Sequence, residues 1–250
     1  MTLRFRAPSR RDLLWLACPP SGRRWFSWAA EIAGIRFERR RRGRSVWRYL
    51  HIHGDESTAR EVLAAHQRSA PGTAFYVCSR TRLVSLGGAR LDPNRLFSRA
   101  GALRNLYRLN PMLPESQIAN LLLQLEEDRE SFLGQILPRR GGALIALHNN
   151  SRGYSMQSEE PISDQVSWKQ PSQPQEFLLV TDARDWETIA ASPFNAVLQQ
   201  NPPPPDDGSL SRLCAARGLR YINIEAQMGN FAAQQAMLAW IFAHLPERRD

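Results

Sequence analysis

The chain predicts a single α/β domain built on a mixed, largely parallel sheet with helices on both faces. Two observations lead there. Short apolar runs rich in β-branched and aromatic residues, at 46–52, 74–77, 143–147, 177–181, 196–198 and 220–224, are separated by longer helical stretches, the pattern of a layered sheet. A run such as Ala143-Leu144-Ile145-Ala146-Leu147 is also continuous, not alternating, as a strand covered on both faces should be. With 250 residues, 42% of them hydrophobic, the chain is long enough for one domain with a substantial core, assigned here to 45–245 behind a basic segment, 1–44, that is partly strand or flexible.

Near the start, Ser9-Arg10-Arg11-Asp12-Leu13-Leu14 is similar to a twin-arginine export signal, but the apolar run after it breaks at Pro19-Pro20. Cytoplasmic residence is therefore the default and the periplasm the alternative. No stretch is long enough to span a membrane. Cys18, Cys78 and Cys214 are odd in number and lack metal-ligand spacing, which indicates buried or free thiols. The net charge of +9 and the run Arg39-Arg40-Arg41-Arg42 with Arg44 would suit nucleic acid or an anionic surface. Lys169 is the sole lysine, however, so the arginine bias is equally a matter of composition, and no nucleic-acid motif accompanies the run. Gly43 suggests a hairpin turn.

The first strand, 46–52, leads into His53-Gly54-Asp55-Glu56 and then a helix, Ser57–His66. A His-x-x-Glu pair delivered at a strand end can bring imidazole nitrogen and carboxylate oxygen to one zinc ion, and a second histidine would leave a fourth position for water. His148, directly after the 143–147 strand, is the natural third ligand. The last strand, 220–224, ends at Glu225, where sites of open α/β sheets gather; a carboxylate there can serve as a base or simply face solvent. Asp92-Pro93-Asn94-Arg95 reads as a turn, and its arginine fork and asparagine amide could also grip a carboxylate.

Together these elements resemble the zinc carboxypeptidase superfamily, in particular its compact branch of succinylglutamate desuccinylase and aspartoacylase, in which His-Gly-Asp-Glu is followed by Asp-x-Asn-Arg. The resemblance covers about 45–240. It implies a Zn2+ cofactor held by His53, Glu56 and His148, Asp92 supporting a ligating histidine, Asn94 and Arg95 on the substrate carboxylate, and Glu225 as general base and acid. An upstream arginine would stabilise the oxyanion; among Arg80, Arg82 and Arg90, the expectation falls on Arg90, whose alternative is a surface residue.

The remaining elements are connectors and core. Residues 147–155 read as a polar loop in which Asn149, Tyr154 and Ser155 could line a pocket, or as plain surface. Loops are expected at 158–175 and at Pro202-Pro203-Pro204-Pro205, and Asp206-Asp207-Gly208-Ser209 as a turn into a helix or a pocket loop. Helices are expected at 115–137 and 230–244, the latter with a core-facing stripe of Phe231, Met237, Leu238, Trp240 and Ile241. The function expected is hydrolysis of an amide in a carboxylate-bearing peptide, peptidoglycan stem peptides included, with N-acyl amino acid deacylation and a non-catalytic nucleic-acid-binding protein as alternatives.

Overall fold

The computed structural model describes residues 29–139, 141–150 and 153–248. The twin-arginine-like segment and Cys18 lie outside them. Nine strands form one mixed sheet, in the order β1 (Ala29–Ile32), β2 (Ile35–Arg42), β4 (Gly72–Val77), β3 (Arg48–His51), β7 (Leu144–Asn150), β11 (Tyr221–Gln227), β9 (Phe177–Val180), β10 (Asn195–Leu198) and β8 (Gln165–Ser167). Its centre, β4-β3-β7-β11, is parallel, and antiparallel pairings flank it.

Helices cover both faces, which is why the central strands read as unbroken apolar runs. On one face α1 (Ser57–His66), α5 (Ala183–Ile189) and α7 (Phe231–His244) bury Val62, Trp186, Met237 and Ile241 against Tyr49, Ile145 and Ile222. On the other, α2 (Arg99–Leu109), α3 (Glu115–Ile136) and α6 (Leu210–Ala216) cover Phe37, Leu50, Ala146 and Leu179. The predicted stripe of α7 is core: Met237, Leu238 and Ile241 are buried, and Phe231 and Trp240 pack at its margin.

Three sequence expectations need correction. Gly43 does not make a hairpin, because β2 pairs with β4 and not with the strand that follows the turn. The arginine run belongs to β2; Ile35 and Phe37 face the core while Arg39 and Arg40 are half-buried, so long stems replace the apolar alternation that would have revealed a strand. Second, 147–155 is not all loop, since β7 continues through His148, Asn149 and Asn150, every residue buried. Third, 158–175 holds structure: the one-turn α4 (Met156–Glu159) and the edge strand β8, antiparallel to β10. Among the described residues no helix is long and apolar enough to cross a membrane, and Cys214 is a buried free thiol.

A small hairpin, β5 (Val84–Leu86) and β6 (Ala89–Leu91), carries the chain to Asp92. Gly87 and Gly88, at φ +53° and +88°, supply the two left-handed residues that such a two-residue turn demands.

Candidate metal centre

The parallel centre of the sheet brings the C-terminal ends of β3, β7 and β11 to one edge, and the site is assembled there. His53 follows β3 by two residues, and Glu56 stands one residue before α1. The loop between them is tight: Gly54 N–H donates to Thr81 O at 3.2 Å, and a Cβ on Gly54 would lie 2.3 Å from Ser79 O. Only glycine fits there. The N-terminus of α1 lacks a local side-chain cap, and the Asn149 side chain in β7 accepts from Ala59 N–H at 2.8 Å instead. Asn149 also donates to Gln234 Oε1 at 3.2 Å, and Gln234 in turn donates to His148 O at 2.7 Å. Helix α1 with Glu56, β7 with His148, and α7 are thus tied by one buried network.

Three sequence-predicted ligands converge. Glu56 Oε1 lies 2.8 Å from His53 Nδ1, and Glu56 Oε2 lies 3.2 Å from His148 Nδ1. All three residues are buried, at 1%, 2% and 4% exposure for His53, Glu56 and His148. One ligand atom from each lies within 4.8 Å of the others. Three donors around a tetrahedral zinc, each about 2.0–2.1 Å from it, stand roughly 3.3 Å apart; both Glu56 contacts are near that spacing, and the three residues together could hold a metal ion. Two imidazoles and one carboxylate are also a donor set zinc accepts in open sites.

Asp92 meets the other side of His53: its Oδ1 lies 2.8 Å from Nε2 and accepts from Asn94 N–H at 2.9 Å. A carboxylate on the second ring nitrogen fixes the ring and leaves Nδ1 free for a cation. Without one, His53 lies between two carboxylates. Burial opposes its charged form, but Glu56 and Asp92 outweigh burial and lift its pKa to about 9. Glu56 shows the reciprocal effect, with burial overcome by His148 and His53 and its pKa held well below the carboxylate range. His51 is different: burial chiefly lowers it to about 4, and its Nε2 lies 2.9 Å from Glu56 O.

Glu225 is in register with His148 on the neighbouring strand and is 5% exposed. Its pKa is raised, first by burial and also by Glu56, against the pull of His148. Asn223 Nδ2 donates to its Oε1 at 3.0 Å, and Asn150 Nδ2 reaches its Oε2 at 3.5 Å.

The arginine that reaches the cluster is Arg82, 3.1 Å from Glu56 Oε1 and 3.7 Å from Asp92 Oδ2. Arg90 is placed otherwise than expected: in β6, Ala89 and Leu91 are buried, so the strand alternation turns Arg90 outward to solvent. Asn94 Oδ1 accepts from Leu210 N–H at 3.1 Å, at the start of α6. Arg95 is half-buried with Nη1 3.6 Å from Asp207. Tyr154 is half-buried, its ring 5.9 Å from that of Phe177, and Glu225 helps raise its pKa after burial. Asn149 is not a pocket residue, since both ends of its amide are spent on α1 and α7. Sequence reasoning missed Asn150, Asn223 and Gln234. The first two were findable as the same-face neighbours, two positions away, of His148 and Glu225.

No protein-family model matches the chain, and no curated protein matches it. Crystal structures similar to it include two from Shewanella species. One, a candidate metallopeptidase from Shewanella denitrificans OS217, is 13% identical with a TM-score of 0.40, over 84% of this chain and 78% of that one. The other, a candidate metallopeptidase from Shewanella amazonensis SB2B, is 12% identical with a TM-score of 0.43, over 88% and 87%. Likeness at that level leaves the function to be argued from the site.

Proposed function

We propose that this chain is a zinc-dependent hydrolase cleaving an amide bond in a peptide or acylated amino acid with a free carboxylate. The observation that carries the reading is the convergence of His53, Glu56 and His148, with Glu225 registered beside His148. Zinc held by those three residues would supply Lewis acidity, polarising a carbonyl and making water easier to deprotonate.

The chain's own residues do the rest. Glu225 accepts the proton of the attacking water and returns it to the leaving nitrogen, a shuttle favoured by its raised pKa. Asp92 keeps the Nε2 side of His53 engaged, so that Nδ1 faces the centre. Arg82, about half exposed beside the cluster, offers positive charge to the carbonyl oxygen as negative charge develops there, the role first expected of Arg90. Asn94 and Arg95 hold the substrate carboxylate, and the Arg95 guanidinium, half-buried with Asp207 3.6 Å away, has the charge for it. Tyr154, packed on Phe177 and close enough to Glu225 for that carboxylate to help raise its pKa, contributes to binding the substrate.

The test begins with metal content. Protein purified without chelator should carry about one zinc per chain, as one three-ligand site demands, and a His53→Ala, His148→Ala double variant should carry none. A panel of peptides and N-acyl amino acids then separates carboxypeptidase action, on peptidoglycan peptides for example, from deacylation. Zinc that fails to bind even in excess, or that binds equally to the double variant, would end the hydrolase reading.

A further inference from the structure

Glu225 is held by two asparagines that the proposed chemistry has not yet used. Parallel strands β7 and β11 pair His148 with Glu225 and Asn150 with Gln227. With a two-residue period, Asn150, His148, Asn223 and Glu225 therefore share one face of the sheet. Each carboxylate oxygen of Glu225 has one amide donor, Asn223 Nδ2 at 3.0 Å to Oε1 and Asn150 Nδ2 at 3.5 Å to Oε2. Asn150 Nδ2 also donates to Gln175 O at 2.6 Å, which anchors it to the loop before β9.

The other ends of the two amides are unmatched. Asn150 and Asn223 are 4% and 7% exposed, yet among the described residues neither buried Oδ1 has a hydrogen-bond partner. A buried acceptor left unpaired costs stability, and an account of it is owed. Flipping either amide would not help, because Oδ1 would then face the Glu225 carboxylate. A β-branched residue at 223, like its neighbours Ile222 and Ile224, would satisfy the strand without an orphan atom.

Resting on the reading of Glu225 as the proton shuttle, the geometry points to Asn150 and Asn223 as positioning residues. They fix the carboxylate of Glu225 from both sides, and the fold carries two unpaired oxygens as a result. A base must lie within hydrogen-bond reach of the proton it takes, and a free rotor would spend much of its time elsewhere. Neither asparagine touches the reacting atoms; both act through Glu225.

The test uses the full zinc-loaded chain with Asn223→Val and Asn223→Thr, which have the same shape and differ in one hydroxyl donor. Val should lower kcat about tenfold or more with KM and zinc content unchanged and the melting temperature not reduced, while Thr recovers part of the loss. Asn150→Val and Asn150→Thr should repeat the pattern more weakly, given the longer contact. Equal kcat in Val and the parent, equal kcat in Val and Thr, or a loss that only follows unfolding or metal release would overturn the assignment. A readout free of turnover accompanies it: the side-chain amide NMR signals of both asparagines should exchange slowly and shift in Glu225→Gln. Signals that ignore that substitution also overturn the clamp. Signals that respond while Glu225→Gln hydrolyses as fast as the parent would instead sink the reading of Glu225 as the proton shuttle and leave the clamp standing as structure alone.

Discussion

At Glu225, burial and the nearby Glu56 favour the neutral carboxyl, while His148 and the Asn223 amide favour the carboxylate, and the balance is a raised pKa. A group so balanced can both take and give a proton. Glu225→Gln keeps the shape and loses the proton chemistry, so turnover should fall about 10²–10⁴-fold with zinc content retained, measured by steady-state kinetics beside metal analysis. At Asp92 the expectation is about affinity: Asp92→Asn weakens the hold on His53 Nε2 and should cost roughly 10–100-fold in zinc affinity, read by competition with a chelator. The arginines give a contrast. Arg82→Ala should lower kcat by about 10²-fold if it stabilises developing charge, whereas Arg90→Ala, on the outward side of β6, should leave kcat as it was. The reverse result would restore the sequence-based choice of Arg90.

Between elements, Asn149 is the connection that matters most, because it joins β7 to the start of α1 and to α7. Asn149→Leu would leave Ala59 N–H and Gln234 Oε1 without these partners, a loss of about 1–3 kcal/mol for each buried group. The metal-free variant should melt at lower temperature, and zinc should bind more weakly as Glu56 loses its fixed helix start; unchanged melting would show that the network is not under load. Elements of this kind were unevenly legible in the sequence. Helix α1 is found at Ser57–His66 as predicted, because its apolar residues Val62 and Leu63 and its position after a strand are local signals. Strand β2 was hidden because arginines occupy five of its eight positions, and a half-buried, unbranched stem leaves no mark in a hydrophobic pattern. Likewise β7 extends past its apolar run through His148, Asn149 and Asn150, where tertiary hydrogen bonds take the place of hydrophobicity.

Across the whole molecule, the three residues proposed as ligands could be picked out in the sequence and their surroundings could not. His53 and His148 follow apolar runs that the sequence itself marks, and Glu56 precedes a helix it also marks, whereas the approach of Arg82 and the hydrogen bonds to Glu225 depend on how loops and strands come together. The same holds far from the site, at the N-terminal end of α5. There Arg248 pairs with Asp182 at 2.8 Å and Asp185 at 2.6 Å, and buried Arg220 pairs with Asp185 at 2.9 Å, fastening the C-terminal residues to the sheet. Burial opposes ionisation of Asp182, but the bonds from Arg248 and from the Asp185 backbone N–H prevail, and its pKa is lowered. A depressed folded-state pKa contributes stability above the unfolded value, about 3.9, and loses it as pH falls through the folded value. Melting temperature should therefore drop as pH is lowered below about 4, and Arg248→Gln, which has less of this contribution to lose, should melt lower at neutral pH and decline less steeply in acid. Melting curves of the two metal-free proteins between neutral pH and the acid limit measure it. Parallel curves for the two proteins would mean that the Arg248 pair adds nothing to the folded state.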